Sequence, residues 1–88
     1  MSYSVRYTED ADKALRKMDH RTAATIVSWI SKNLVDCQDP FRNGKYLKGE
    51  LSNIWRYRVG DYRIFSLIGE KELVILIIDV RHRRNAYK

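Results

Sequence analysis

WRYRVGDYRIF, residues 55–65, carries its own geometry. Gly60-Asp61 is a two-residue hairpin signal between two runs rich in aromatic and β-branched residues, and the glycine supplies the positive φ that a type II′ or I′ turn needs. With those two residues as the whole loop, Val59 pairs with Tyr62, Arg58 with Arg63, Tyr57 with Ile64 and Arg56 with Phe65. Side chains alternate along a strand, so Arg56, Arg58 and Arg63 share one face while Trp55, Tyr57, Val59, Tyr62 and Ile64 share the other. Like charges directly across an antiparallel pair destabilise it, so something outside the hairpin should offset them.

Upstream, Tyr3, Val5 and Tyr7 alternate with Ser2, Ser4 and Arg6, the pattern of a short half-buried strand. Thr8 can cap a helix whose first turn, Glu9, Asp10 and Asp12, suits the positive end of the helix dipole. Ala11, Ala14, Leu15 and Met18 fall at helical spacing. A second helix starts near Asp19 or Thr22, with Ala23, Ile26, Val27, Ile30 and Leu34 as its apolar stripe and Trp29 widening it. The stripes read as core rather than as cofactor contacts, and the two helices form an αα-hairpin. Residues 37–53, CQDPFRNGKYLKGELSN, end the second helix at Pro40 and Gly44. Downstream of the hairpin, residues 69–72 form a second turn and LVILIIDV (73–80) a nearly continuous apolar strand, which should be central in its sheet. The order strand, helix, helix, strand, strand, strand gives an α+β fold: an αα-hairpin on one face of a mostly antiparallel sheet of about four strands. Tyr57, Val59, Tyr62 and Ile64 then face the helices. The arginines lie on the far side with Phe65 and Leu67, an uncovered mix of cations and apolar groups that suits a binding surface.

The 88 residues make one domain, 1–88, because a chain of this length closes a single core. Residues 1–41 carry six positive and six negative groups, whereas residues 42–88 carry eleven positive and five negative, so the whole net charge of +6 lies in the half that holds the hairpin. A polyanion is the expected partner, nucleic acid ahead of a membrane surface, since no basic amphipathic helix appears. Cys37 stands alone, which excludes an internal disulfide and, with no Cys/His cluster, argues against a structural zinc. The N-terminus has no hydrophobic signal region and no apolar run reaches the roughly 20 residues of a membrane span, so a cytoplasmic location is expected.

Arginine is always charged and its planar fork matches phosphate oxygens, so Arg56, Arg58 and Arg63 can form a phosphate cradle. The alternative is that they pair with carboxylates, for which Asp61 and Asp79 are the near candidates. Arg81, Arg83 and Arg84 add to the charge. Arg42, Lys45 and Lys48, interleaved with Phe41 and Tyr46, can hold a nucleic-acid backbone and stack a base, or can be no more than a solvated loop. Cleaving RNA through its 2′-hydroxyl needs a base, positive charge on the developing phosphorane and an acid for the leaving 5′-oxygen. The arginines can supply the charge, and His82 or Tyr87 the proton transfer. His20, in the helix turn, reads as structural. No Ser/His/Asp set, carboxylate pair, P-loop or metal site is present.

YLKG (46–49), WRYRVGDYRI (55–64), the long apolar strand and HRRNAY (82–87) together resemble the RelE side of the RelE/ParE toxin superfamily, the toxins of bacterial and archaeal toxin–antitoxin pairs. The resemblance covers essentially the whole chain and implies a RelE-like fold. It also implies a metal-independent endoribonuclease without cofactors, an mRNA interferase that enters the ribosomal A site, cuts mRNA there and so inhibits translation. The implied partners are ribosome and mRNA, and a cognate antitoxin, with operator DNA reached only through the antitoxin complex.

Position by position, the resemblance puts Arg56 and Arg58 at the family's basic pair before the hairpin and Arg63 at an arginine that stabilises the transition state. It puts Arg83 at the tail arginine associated with charge stabilisation and leaving-group protonation, and Tyr87 at the near-terminal tyrosine that orients or stacks on substrate. His82 matches a histidine used for proton transfer in many relatives. Lys45 and Lys48 would contact RNA backbone, with Arg81 and Arg84 adding to that binding. In the best-known RelE proteins the basic pair is lysine, and an arginine does not easily give up its proton. The base therefore falls to His82 or to substrate and solvent. With +6 to match and Phe65 and Leu67 expected to be exposed, the antitoxin segment should be acidic and amphipathic. The alternatives are a ParE-like inhibitor of DNA gyrase without RNase activity, against which the H-R-R-x-x-Y ending leans, and an inactive nucleic-acid-binding module.

Overall fold

The computed structural model describes residues 1–86. Strand β1 (Ser4–Tyr7) leads into helices α1 (Glu9–Arg16) and α2 (His20–Asn33), followed by a two-residue strand β2 (Lys45–Tyr46), a 3-10 turn (Gly49–Leu51), and strands β3 (Trp55–Val59), β4 (Tyr62–Gly69) and β5 (Val74–His82). The sheet has five strands in the order β1-β5-β4-β3-β2, with β1 parallel to β5 and every other pair antiparallel. The fifth strand, against about four expected, is β2: residues read as loop pair Lys45 with Arg56 and Tyr46 with Trp55. No helix among the described residues is long and apolar enough to cross a membrane.

Local chemistry sets the element boundaries. Thr8 caps α1 by accepting from the Ala11 N–H at 3.2 Å, and Asp19 caps α2 by accepting from the Arg21 and Thr22 N–H groups. Leu15 and Ala11 of α1, Ile26 and Ile30 of α2 and Leu34 beyond it meet Tyr57, Ile64, Ile75, Ile77 and Val80 of the sheet in one core. Val27 of the expected stripe is exposed instead. Each fully buried isoleucine contributes about 1.5–3 kcal/mol through area removed from water. Tyr57, buried among these groups, donates its hydroxyl hydrogen bond to the Pro40 carbonyl at 2.6 Å, and the Ser66 hydroxyl donates to Trp55 O at 2.9 Å, so neither buried polar group is left unmet.

The hairpin register is the one its sequence implies, from Val59 opposite Tyr62 to Arg56 opposite Phe65. Gly60 has φ +57 while Asp61 stays out of the left-handed region, the type II′ pattern. The next pairing departs from regularity: Phe65 pairs with Asp79 but Ser66 pairs with Ile77, which leaves Ile78 as an extra residue in β5. This bulge explains why Ile75, Ile77 and Val80, whose spacing breaks strict alternation, are all buried in the core. It lies where β1 gives way to α1, and Thr8 secures it by donating its N–H to Ile77 O and its hydroxyl to Ile78 O.

Candidate nucleic-acid interface

Register carries the basic residues into rows. Arg58 opposes Arg63 on β4, and Arg63 opposes Arg81 on β5, so three arginines line up across three strands. In the adjacent row Lys45, Arg56, Phe65 and Asp79 follow one another from β2 to β5. Both rows lie on the sheet face turned away from the helices, by alternation from the buried Tyr57, Ile64 and Val80.

The like charges are accommodated in two ways. Arg63 is buried, 8% exposed, and its Nη1 donates to the Gly60 and Tyr62 carbonyls at 3.0 Å each. Its charge thereby rests on the carbonyl dipoles of the turn it follows. Arg81 is paired: its Nε donates to Asp79 Oδ2 at 2.6 Å and its Nη1 to the Asn85 carbonyl at 3.3 Å. Asp79 Oδ1 meanwhile accepts the Val80 N–H at 2.8 Å. Arg56 is buried beside Lys45, and Arg58 is exposed and, among the described residues, in no ion pair. The face therefore combines one open guanidinium, Arg58, with neighbours whose positions the protein fixes.

The far side of the sheet is less open than expected. Phe65, expected to be exposed, is buried at 5%, because the segment of residues 47–54 folds over it: Leu47, Leu51 and Ile54 join Phe65 and the bulged Ile78 around a shallow hollow of about 250 Å³. Leu67 is half-buried. Apolar residues on a nominally open sheet face draw in whatever chain segment lies nearest, and alternation within the hairpin says nothing about that cover.

The tail is anchored to the hairpin. Arg83 donates its backbone N–H to Asp61 O at 2.7 Å, and its Nε lies 3.7 Å from Asp61 Oδ1, which brings it beside the turn that Arg63 holds. Arg84 is exposed, and its N–H donates to His82 Nδ1 at 3.2 Å. His82 is not brought to the arginine row. It opposes Tyr62, their rings meet edge to face at 5.3 Å, and the pair lies on the helix side of the sheet. The same alternation that puts Arg81 in the row turns the next residue away. Tyr87 lies outside the described residues. Lys45 and Lys48 are exposed at the β2 edge, as nucleic-acid contacts require. Among the described residues no group of three or more His, Cys, Asp or Glu is placed to hold a metal ion.

One feature of the site escaped sequence reading. Arg81, taken as a general backbone contact, is the third member of the central row. Asp79, one of the two carboxylates the sequence offered for this face, shares it and pairs with Arg81, and the bulge between residues 77 and 79 decides this. The one available signal was that LVILIIDV is too uniformly apolar to reveal where its alternation slips.

The chain is similar in sequence and in fold to toxins of toxin–antitoxin systems. A family model described as the ParE toxin of type II toxin–antitoxin systems, parDE, matches residues 5–87. The toxin RelG of Mycobacterium tuberculosis is 33% identical over 88 residues, covering 100% of this chain and 99% of that protein. The toxin–antitoxin complex RelBE2 from the same organism includes a chain that superposes with a TM-score of 0.85 at 32% identity, over 97% of this chain and 95% of that one. A variant of the Escherichia coli toxin RelE in the free state, 18% identical, shares the fold with a TM-score of 0.75 over 98% of this chain and 88% of its own.

Proposed function

The chain belongs to the ParE-toxin family of type II toxin–antitoxin systems and is a toxin of RelE type, and we propose that it is a ribosome-dependent endoribonuclease that cuts mRNA in the A site. The observation that carries this reading is the row Arg58–Arg63–Arg81, set by register beside Lys45 and Arg56. Three cations at strand spacing, one open and two held, suit a phosphate whose charge grows as the 2′-oxygen attacks. Arg63 and Arg81 need no rearrangement to do so, because the turn carbonyls and Asp79 already fix them.

In this scheme Arg56 and Arg58 bind the substrate phosphates and Arg63 stabilises the phosphorane. Arg83, beside the turn, and Tyr87 serve the leaving oxygen and the neighbouring base. Arg56 and Arg58 stay protonated and take no proton. The proton of the 2′-hydroxyl leaves to substrate or solvent, or to His82, which would have to be reached around the sheet edge. Lys45, Lys48 and Arg84 hold RNA backbone outside the reacting phosphate. The reaction is metal-independent and needs no cofactor, and its setting is the cytoplasm.

A cognate antitoxin would hold the protein inactive, bind operator DNA on its behalf and present an acidic amphipathic segment to the +6 surface. RelBE2 was solved as a toxin–antitoxin complex, which supports such a partner. The family model's description favours a second reading, a ParE-like action on DNA gyrase by protein contact. Primer extension on mRNA in an in vitro translation reaction separates them. Cuts at A-site codons with the wild-type protein and none with Arg83→Ala support the nuclease; continued translation with intact mRNA supports the gyrase reading.

A further inference from the structure

The hollow over Phe65, on the far side of the sheet, has a lining that the proposed reaction does not use. Phe65 and Asp79 oppose each other across β4 and β5, and Arg81 follows Asp79 by two residues, so all three project from the face turned away from the helices. Leu47 and Ile54 join them by register, because the Leu47 N–H donates to Ile54 O at 3.0 Å, one step beyond the Tyr46–Trp55 pair. The bulge brings Ile78 to the same hollow, and Leu51 of the 3-10 turn, 53% exposed, borders it on the solvent side. Its volume of about 250 Å³ falls below the roughly 300–1,000 Å³ of sites that enclose drug-sized ligands, and so suits a single flat ring system.

The polar rim is one carboxylate and one guanidinium, tied to each other. Asp79 Oδ2 accepts from Arg81 Nε at 2.6 Å, and Asp79 Oδ1 accepts the Val80 N–H at 2.8 Å. The two bonds fix the carboxylate, yet each oxygen keeps a second lone pair, and the side chain is 28% exposed. A carboxylate accepts and does not donate, so a ring that covers it must bring N–H groups along one edge; without them the covering costs the lost hydration of a charge. On its other side Arg81 stands in the row with Arg63 and Arg58, which suits phosphate. A ligand that meets both demands has an apolar ring with paired donors and a phosphate attached to it, as a nucleotide within RNA has. The same carboxylate disfavours an acidic peptide as the occupant.

We infer that this hollow is a base-reading subsite selective for guanine: one unpaired base of an RNA lies between Leu51 and the apolar floor, its N1–H and N2–H donate to the two oxygens of Asp79, and its phosphate continues onto Arg81 and the central row. Guanine is favoured because its two donors lie side by side and match a carboxylate bidentately. Adenine and cytosine offer one amino group beside a ring acceptor, and uracil flanks its single N–H with carbonyl oxygens that the carboxylate repels. Pairing in a duplex occupies the same edge, so the base read here is single-stranded. The inference deepens the nuclease reading and rests on it for the biological substrate, but the subsite can be measured without cleavage.

The probes are fluorescein-labelled 2′-O-methyl uridine hexamers, which cannot be cut through the 2′-oxygen, with guanine, hypoxanthine or uracil at one central position. Fluorescence anisotropy measures their affinity for full-length wild type, Asp79→Asn and Leu51→Ala, and the same three proteins are run in the A-site primer-extension assay. Wild type should bind the guanine probe about ten-fold more tightly than the uracil probe, with hypoxanthine, which lacks the 2-amino group, between them. Asp79→Asn should weaken all three through the loosened Arg81 and also cut the guanine preference to less than about two-fold, a loss that a purely structural role would not produce. Leu51→Ala truncates a half-exposed side chain and leaves Asp79 and Arg81 in place; it should weaken the guanine probe about three-fold and the uracil probe hardly at all. Should Asp79→Asn lose its urea transition, the wild-type ratio and Leu51→Ala decide alone. Equal affinities of wild type for the three probes, or a guanine preference that survives in folded Asp79→Asn, would overturn the subsite, and if wild type still cuts mRNA the nuclease reading stands without it. A guanine preference lost in Asp79→Asn, with no cleavage by any of the proteins, would leave the subsite standing and remove the reading.

Discussion

Arg58 and Arg63 face each other across the β3–β4 hairpin, and they resolve their repulsion asymmetrically: Arg63 folds back to donate to the Gly60 and Tyr62 carbonyls at 3.0 Å, while Arg58 is left open to solvent. One is part of the turn and the other is free to meet a ligand.

Substituting the two should therefore separate stability from binding. Arg63→Ala removes two charge-assisted hydrogen bonds from a buried group and should cost about 2 kcal/mol in urea denaturation. Arg58→Ala should leave the midpoint unchanged or slightly raised, because it deletes a like charge opposite Arg63. In RNA binding the order reverses for salt dependence: Arg58→Ala should lower the slope of log K against log salt by about one contact's worth, roughly 0.7. A large stability loss with Arg58→Ala would show that the exposed guanidinium has a structural role.

His82 packs against Tyr62 on the helix side of the sheet, away from the arginine row. A general acid or base contributes about 10²- to 10⁴-fold to rate. His82→Gln should reduce A-site cleavage less than about ten-fold, well short of that range. A loss of a hundred-fold or more, with normal thermal stability, would show that the tail rearranges on the ribosome to bring the imidazole to the phosphate.

Gly44 sits where a methyl group would meet the Arg56 backbone, at a φ that side chains resist. Gly44→Ala should therefore destabilise the protein by more than about 1 kcal/mol and release the Lys45–Arg56 pairing. Hydrogen exchange at the β2–β3 amides would show the release as lost protection confined to that edge. Gly60→Ala is a useful contrast, since nothing lies within 4 Å of its added carbon and only the φ of +57 resists it.

Tyr57 is kept protonated by burial, which pushes its hydroxyl well above the ordinary tyrosine range. Burial shifts Tyr7 in the same direction. The folded protein thus holds protons that the unfolded chain releases near pH 10, so stability is intact below about pH 10 and falls above it. Tyr57 adds at most about 1.4 kcal/mol per pH unit to that fall, and the more exposed Tyr7 less, because solvent screens it. Tyr57→Phe should lower stability by about 1 kcal/mol at neutral pH, through the lost hydrogen bond to Pro40 O, and should flatten the alkaline decline. Denaturation midpoints at pH 8, 10 and 11 would test both effects; an equally steep decline in Tyr57→Phe would assign it to the other tyrosines.

Much of this molecule was legible in its sequence because its decisive signals are local. A two-residue turn leaves a hairpin one register, so the opposition of Arg58 and Arg63, and the burial of Tyr57 and Ile64 against the helices, followed from alternation alone. Thr8 and Asp19 announced the helix starts in the same way, since a cap acts within three residues. The cover over Phe65, the extra residue at Ile78, the entry of Arg81 into the central row and the exclusion of His82 from it were decided by tertiary structure. Each depends on a partner far along the chain: residues 47–54 folding over the sheet, Thr8 holding the Ile77 and Ile78 carbonyls, β1 lying parallel to β5. Alternation within a strand says which side chains share a face; only the packing of distant segments decides whether that face is open and where the alternation slips.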